Sequence, residues 1–360
     1  QNWEEGLYTA YERMVRDDPD LILHLGDYIY EYPAREGKPR RHEGGPTDSL
    51  AGFRVRHALY KTDGLLRAAH AACPWLVTWD DHEVDNNYAG LVSENEWESE
   101  EQVHQRRAAA YQAWWEHQPV RVTRAKSWAD LTIRRRLEWG RMATFHVLDT
   151  RQYRDDQACG DNSRDVPCGD WGEMKRTMMG PEQEKWLDDG MGASAARWQV
   201  LANQTRIARL EEKVGEGHRF HMDQWGGYPG ALKRLMESIN KRAANRTVAI
   251  TGDVHSNWVN ELRTDFDTPN GKQIGVEFIG TSISSDGDGW DEYPNWAAQK
   301  PRNPHIHWHN ARRGYVMNDV GADAWKASYR IVPYVTREGA PVQTGAEFVV
   351  QHGKAGIQKV

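Results

Sequence analysis

The 360-residue sequence contains no long apolar run and no excess of basic residues. No stretch approaches the roughly 20 apolar residues that a membrane span needs, so no transmembrane segment is predicted. The 46 Lys and Arg residues are outnumbered by 53 Asp and Glu, and the net charge of −7 argues against a dedicated nucleic-acid partner. Linker-like and low-complexity tracts are also lacking, so residues 1–360 are predicted to form a single domain. These features leave the oligomeric state open.

Cysteine is scarce, with three residues in the whole chain. Cys159 and Cys168 bracket a short polar loop, and this spacing predicts a disulfide and an oxidising compartment. A shared metal site is the alternative, which is disfavoured because no further Cys or His lies nearby to complete a tetrahedral set. Cys73 precedes an apolar strand and is predicted to be a free thiol in the core.

Apolar periodicity predicts helices and strands that alternate early in the chain, followed by a series of strands. Helices are predicted over residues 3–17, 50–72, 99–117, 181–191 and 229–243. Strands are predicted over residues 21–25, 75–79, 133–137, 143–148, 198–202, 248–251, 276–279, 315–320, 328–332 and 347–350. This order predicts an α/β fold in which two facing mixed sheets are flanked by helices.

Three strand ends, far apart in the sequence, each carry side chains that bind metals. They are residues 24–30, 79–87 and 251–257. Each follows an apolar run, so its acidic residue is expected at the carboxyl edge of a sheet, where open α/β sheets bind ligands. Carboxylates, an imidazole and a phenol at one edge suit Ca, Mg, Fe or Zn. The sequence therefore predicts a hydrolytic site with two or more metals, and a metal-dependent phosphoester hydrolase.

The first strand end presents Asp27 and Tyr30. Asp27 follows Gly26, whose freedom of backbone conformation lets the chain turn sharply and direct the carboxylate out of the sheet. A phenolate ligand at Tyr30 favours ferric iron, because that cation is acidic enough to deprotonate tyrosine. The alternative is that Tyr30 is an ordinary wall residue.

The other two strand ends add carboxylates and histidines. Asp80 to Glu83 are four consecutive ionisable residues after an apolar strand, which is costly unless a cation lies there. One of the two Asp residues is expected to face the metals, and His82 is predicted to act as the general acid. An exposed acidic turn is the alternative. Asp253 and His255 are two residues apart in an extended segment, so they share a face.

The chain resembles the PhoD-type alkaline phosphatases and phosphodiesterases, a branch of the calcineurin-like metallophosphatases. The resemblance is carried by residues 1–11, 26–31, 79–87, 148–154, 180–183, 223–229 and 252–258. It implies a four-layer αββα sandwich and a site that contains iron and calcium. It also implies a secreted or cell-surface location, reached in many bacteria by the twin-arginine route with removal of the signal.

The resemblance also implies a ligand set, part of it through the Gly-Asp-x-x-Tyr motif that residues 26–30 share with purple acid phosphatases. The implied ligands are Asp27, Tyr30 and His255 for Fe3+, and Asp27, Asp81 and Asp253 for Ca2+. Asn203 stands where related enzymes place another ligand, although an amide at a strand end can instead satisfy nearby backbone groups.

One feature of the family has no counterpart here. In the family, a cysteine that binds iron stands at the end of the first strand, immediately before the position that matches Gln1. None of the three cysteines replaces it by position, and the chain begins without Met. We therefore expect a cropped or cleaved chain that lacks its first strand and any N-terminal accessory domain, since true loss of that strand would expose a sheet edge.

The expected reaction is in-line displacement at phosphorus by a hydroxide held between the metals, with His82 protonating the leaving oxygen. Arg151 and Arg154 are candidates for clamping phosphate, and salt bridges to Asp155 and Asp156 are the alternative. The predicted substrates are phosphodiesters and phosphomonoesters at alkaline pH. Phospholipase D activity is the second choice. A non-catalytic phosphate- or glycan-binding protein that uses its 17 Trp residues is a distant third.

Overall fold

The structure is a computed structural model that describes residues 1–268 and 271–360. The helices are α1 (Ala10–Arg16), α2 (Leu50–Tyr60), α3 (Gly64–Ala72), α4 (Glu100–His117), α5 (Pro181–Ala193), α6 (Pro229–Arg242) and α7 (Trp296–Gln299). The strands are β1 (Ile22–His24), β2 (Trp75–Val77), β3 (Arg135–Trp139), β4 (Ala143–Val147), β5 (Ser163–Val166), β6 (Trp198–Asn203), β7 (His218–His221), β8 (Thr247–Thr251), β9 (Asn257–Arg263), β10 (Gln273–Ile279), β11 (Gly289–Trp290), β12 (Ile306–Val320), β13 (Ala324–Val332), β14 (Gln343–Gln351) and β15 (Gln358–Lys359).

The helix predicted over residues 50–72 is in fact two helices, because Asp63 caps the second one. Its carboxylate accepts hydrogen bonds from the backbone N–H groups of Leu65 and Leu66, at 2.9 and 3.0 Å, and so satisfies donors that would otherwise be unpaired. The first predicted helix begins later than expected, at Ala10. The preceding residues instead pack against the end of the chain's strand region, where Leu7 donates to the backbone of Val335.

Most strands belong to one mixed sheet of 11 strands, in the order β15-β14-β13-β12-β9-β10-β8-β6-β4-β3, with β11 paired to β12. Strands β4, β6, β8 and β10 run parallel to one another. The 15-residue β12 joins the two halves, because its first part pairs with β9 and its last part pairs with β13. Phe145, Val200 and Val248 share one apolar cluster with Tyr329 and Phe348, so the two halves bury a common core.

Strands β1 and β2 form a separate parallel pair, in which Ile22 faces Trp75. Their core contains α1, α3 and α4, and includes Trp79 stacked on Tyr111 with ring centroids 3.8 Å apart. In the part of the chain that the structure describes, β1 pairs only with β2, and residues 21–27 line a cavity of about 660 Å3 that β12 also borders. A strand that precedes Gln1 stays a prediction.

The fold is therefore mixed α/β, with one large mixed sheet and flanking helices, as the sequence predicted at this level. The carboxyl ends of β1, β2, β6 and β8 each lead into a segment of the candidate site. No helix among the described residues combines the length and the apolar character that crossing a membrane requires.

Candidate metal centre

The backbone at the first strand end turns through two residues with positive φ. Gly26 has φ of 121°, and a Cβ atom there would lie 2.2 Å from the Cβ atom of Asp80, so only glycine fits. Asp27, Asp253 and His255 also adopt positive φ, at 52°, 65° and 46°. Left-handed backbone is strained for residues other than glycine and is concentrated at functional sites. This strain aims the side chains at one point.

Asp27, Tyr30 and His255 converge, although the chain separates His255 from the others by more than 220 residues. The Tyr30 hydroxyl lies 2.7 Å from Oδ2 of Asp27 and 2.8 Å from Nε2 of His255. Nε2 of His255 lies 3.2 Å from Oδ2 of Asp27. The Tyr30 side chain is buried, and its oxygen points at the other two groups. This geometry is that of a ligand cluster more than of a wall residue.

Further carboxylates adjoin this cluster. Ligand atoms of Asp27, Asp81 and His82 lie within 4.8 Å of one another, and so do those of Asp80, Asp81 and Asp253. All but Asp253 are buried. Burial raises the pKa of Asp81 to about 7, against the opposing effect of nearby cationic side chains. Several carboxylates this close together repel one another unless positive charge lies among them.

Two buried acceptors test whether a cation fits. Oδ1 of Asp27 and Oδ1 of Asn203 receive no hydrogen bond from any described residue. Buried oxygens are nearly always paired, so both are suited to a cation. Asn203 ends β6, and its amide nitrogen donates to the backbone of Thr205, which satisfies the backbone and leaves the oxygen free. The acidic residues of this site are able to hold metal.

Arg151 is fully buried among carboxylates. Its Nε, Nη1 and Nη2 atoms donate to Asp80, Asp223 and Asp253 at 2.5, 2.7 and 2.7 Å. Arg154 also donates to Asp223. The partners are therefore Asp80, Asp223 and Asp253, which corrects the expected salt bridges to Asp155 and Asp156.

The same contacts correct the predicted phosphate clamp. A guanidinium whose three nitrogens are bound to carboxylates has no bidentate edge left for a substrate. The sequence could not reveal this arrangement, because the partners of Arg151 lie 71, 72 and 102 residues away along the chain.

His82 lies on the other side of the centre, stacked on Tyr30 with ring centroids 4.0 Å apart. Its Nδ1 atom is 2.8 Å from a carboxylate oxygen of Glu31. Burial lowers the pKa of His82, but the carboxylates of Glu31, Asp81 and Asp27 outweigh burial and hold the pKa well above its usual value. A protonated imidazole at this position can donate a proton or a hydrogen bond.

Comparison with known proteins identifies the family. A model of the PhoD-like phosphatase family matches residues 1–329. The chain belongs to the PhoD-like phosphatases. It is 44% identical to alkaline phosphatase D of Bacillus subtilis (strain 168) over 365 residues, covering 100% of this chain and 62% of that protein. The solved structure described as "Structure of PhoD" matches with a TM-score of 0.96 and 44% identity, covering 100% of this chain and 70% of the other.

The family resemblance read from the sequence is thus confirmed. The chain spans about 62% of the length of the curated relative that it matches.

Two carboxylates that support this PhoD-like site were missed in the sequence. Glu83 accepts hydrogen bonds from the backbone N–H groups of Asp27, Tyr28 and Asp80, at 3.0, 2.6 and 2.7 Å, and so ties the first two strand ends together. Its place beside Asp81 and His82 was visible, but a local pattern cannot separate a ligand from a carboxylate that braces the backbone.

Asp286 is the second missed residue. Its carboxylate lies 2.9 Å from Nδ1 of His255, and this contact fixes which imidazole nitrogen faces Asp27. Burial lowers the pKa of His255, but Asp286 and Asp27 raise it to about 9. The only signal in the sequence was an acidic residue in a Gly-rich turn, which is typical of ordinary loops.

The predicted disulfide between Cys159 and Cys168 is present, and Cys73 is a free, half-buried cysteine. The stapled loop contains β5, which pairs with β7. That short sheet precedes Asp223, the partner of both Arg151 and Arg154. The disulfide therefore supports a loop that leads into the site.

Proposed function

We propose that this chain hydrolyses phosphoesters with the help of bound metal ions, as an alkaline phosphatase and phosphodiesterase. The observation that carries the proposal is the pair of buried, donor-free oxygens of Asp27 and Asn203 beside Tyr30 and His255. A non-catalytic phosphate or glycan binder would not need buried acceptors without donors. Membership of the PhoD-like phosphatases supports the same reaction.

Two kinds of metal suit the donor set. Asp27, Tyr30 and His255 offer carboxylate, phenolate and imidazole for Fe3+. Oxygen atoms suit Ca2+, and those proposed to hold it belong to Asp27, Asp81, Asn203 and Asp253. When bound, such ions lower the pKa of a coordinated water and offset negative charge on the phosphoryl oxygens.

The side chains of the protein divide the remaining work. His82 donates a proton toward the leaving oxygen, and Glu31 keeps its ring in place. Arg151 holds the carboxylates of Asp80 and Asp253 at fixed positions, so it acts as a positioning residue. These groups are on or beside strand ends, where the sheet restrains them.

The finer features follow the same proposal. The two halves of the large sheet, folded face to face through β12, support a four-layer αββα sandwich in one catalytic domain. The disulfide supports a secreted or cell-surface protein. Phosphoesters outside the cell would then be its substrates.

The test combines metal analysis with a substrate panel. Metal content of the purified protein is measured, and turnover of p-nitrophenyl phosphate, bis-p-nitrophenyl phosphate and phosphatidylcholine is compared at alkaline pH. We expect bound metal and hydrolysis of both nitrophenyl esters. Faster turnover of phosphatidylcholine would assign the site to a phospholipase D. Metal-loaded protein that binds phosphate but hydrolyses none of the three would support the non-catalytic reading.

A further inference from the structure

One buried arginine beside the metal centre has no partner. Seven arginines are buried among the described residues: Arg56, Arg107, Arg151, Arg154, Arg176, Arg206 and Arg313. Six of them donate guanidinium hydrogen bonds to carboxylates or backbone carbonyls. The guanidinium of Arg206 forms no hydrogen bond and no ion pair with any residue that the structure describes, and its Nε atom is buried. A buried charge without a partner is costly.

Arg206 lies next to two of the proposed ligands. It is three residues after Asn203, at the end of β6. Its backbone N–H donates to Oε1 of Gln224 at 2.6 Å, and Nε2 of Gln224 donates to Oδ2 of Asp253 at 2.5 Å. A single amide side chain therefore connects the backbone of Arg206 to the carboxylate of Asp253.

An aromatic platform supports the guanidinium. Its Cζ atom lies 5.8 Å from the ring centroid of Trp258, a distance at which a cation is attracted to the ring face. Trp258 is buried and stacks on His309 with centroids 3.8 Å apart, and Trp296 packs against it edge-on at 5.2 Å. The platform is rigid, and contact with a ring face leaves the N–H edges of the guanidinium available.

The surrounding charges do not neutralise Arg206 by direct contact. Burial lowers its pKa, and the carboxylates of Glu212, Glu277 and Asp253 raise it in part. Glu277 is already occupied, because it accepts from the backbone N–H groups of Ile207 and Ala208 at 2.8 and 3.0 Å. Asp253 is held by Arg151 and Gln224. The guanidinium thus keeps its hydrogen-bonding capacity.

We propose that Arg206 binds the phosphoryl oxygens of the substrate, and of the inorganic phosphate that a monoester releases. The inference rests on the proposed function and adds a specific substrate contact to it. Arg151 and Arg154 cannot fill this role, since carboxylates occupy them. A planar guanidinium suits a tetrahedral oxyanion because it can donate two parallel hydrogen bonds.

The test measures phosphate binding directly. Isothermal titration calorimetry with inorganic phosphate is applied to the metal-loaded wild type and to Arg206→Gln, Arg206→Lys and Arg209→Gln. Arg209→Gln is the matched control, because it removes the same charge three residues away from a side chain that pairs with Asp267. We expect phosphate affinity to fall about 10- to 100-fold in Arg206→Gln, the scale of a charged hydrogen bond. Arg206→Lys should recover part of it, and Arg209→Gln should bind like the wild type.

Metal content and KM complete the test. All four proteins should retain the same metal content, and KM for bis-p-nitrophenyl phosphate should rise in Arg206→Gln. Wild-type phosphate affinity in a folded, metal-loaded Arg206→Gln would overturn the inference while leaving the hydrolase proposal intact. Equal losses in Arg206→Gln and Arg209→Gln would also overturn it, because they would indicate a diffuse charge effect. A metal-loaded wild type that hydrolyses no phosphoester would instead overturn the proposed function.

Discussion

The Oε2 atom of Glu31 lies 2.8 Å from Nδ1 of His82. The other oxygen of Glu31 accepts a hydrogen bond of 3.1 Å from the backbone N–H of Asn86, so the carboxylate is fixed at both oxygens. Because Nδ1 faces Glu31, the Nε2 atom of His82 is the one left to serve a leaving oxygen. The pair therefore defines a direction for proton donation.

Replacing Glu31 with Gln should weaken that proton donation. We expect kcat to fall about 10- to 100-fold, as for residues that orient a functional side chain. His82→Ala should lose about 10²–10⁴ in rate, the scale of a general acid, while retaining metal. The loss in both variants should be greater for an alkyl phosphate than for p-nitrophenyl phosphate, whose leaving group needs little protonation. Equal losses on the two substrates would indicate a purely structural role.

Replacing Asp27 with Ala should release metal and abolish turnover. Its carboxylate lies beside both proposed ligand groups, and one of its oxygens has no donor among the described residues. Elemental analysis after gel filtration measures the metal. Asp165→Ala is the control, since Asp165 is exposed and pairs with Lys213 and Arg219. Normal metal content and near-normal turnover in Asp27→Ala would contradict the two-metal proposal.

Replacing Tyr30 with Phe tests the proposed ferric phenolate. Ferric phenolate absorbs visible light by charge transfer, so iron-loaded protein should be coloured, and Tyr30→Phe should lose the band and hold iron less tightly. Tyr28→Phe is the matched control, because the Tyr28 hydroxyl bonds to His70 instead of the centre. An unchanged visible spectrum in Tyr30→Phe would remove Tyr30 from the ligand set.

Acid should destabilise the fold through His309. Burial lowers the pKa of His309 to about 4, against an ordinary value near 6.5. Its Nε2 atom accepts from the backbone N–H of Tyr293 and its Nδ1 faces the carbonyl of Asn257, so the native state requires the neutral ring. Between those two pKa values the unfolded chain binds more protons, so stability falls as pH falls from about 6.5 to 4.

Urea unfolding at pH 7 and pH 5 measures this effect. His309→Asn keeps a donor toward Asn257 but does not titrate. Between pH 7 and pH 5 the wild type should lose about 2 kcal/mol more of its unfolding free energy than His309→Asn, from 1.36 kcal/mol for each pH unit below 6.5. The other buried histidines are common to both proteins and cancel in the difference. Equal pH dependence would show that His309 does not titrate on unfolding.

The sequence revealed the ligands at strand ends because their signal is local. An apolar run followed by an acidic residue, as at Asp27 and Asp253, states both the strand and the edge at which it ends. The alternation of helices and strands is equally local, and it predicted the α/β class.

The remainder depended on pairings that no local pattern contains. Strand β9 was missed because it carries buried polar residues, such as Asn260, which bonds to Glu277 on the neighbouring strand. The partners of Arg151 and the role of Asp286 arise from contacts between distant segments. Such side chains look like ordinary surface polar residues until the fold brings their partners together.

Glu83 has a consequence for how the centre is loaded. Because its carboxylate ties the backbone at Asp27 and Asp80 with protein atoms alone, the two loops are ordered before any cation arrives. The entropy of ordering those loops is lost during folding and not during ion capture. The empty protein is thus a preformed socket, whose ion preference is set by the fixed spacing of its oxygens more than by their ability to move.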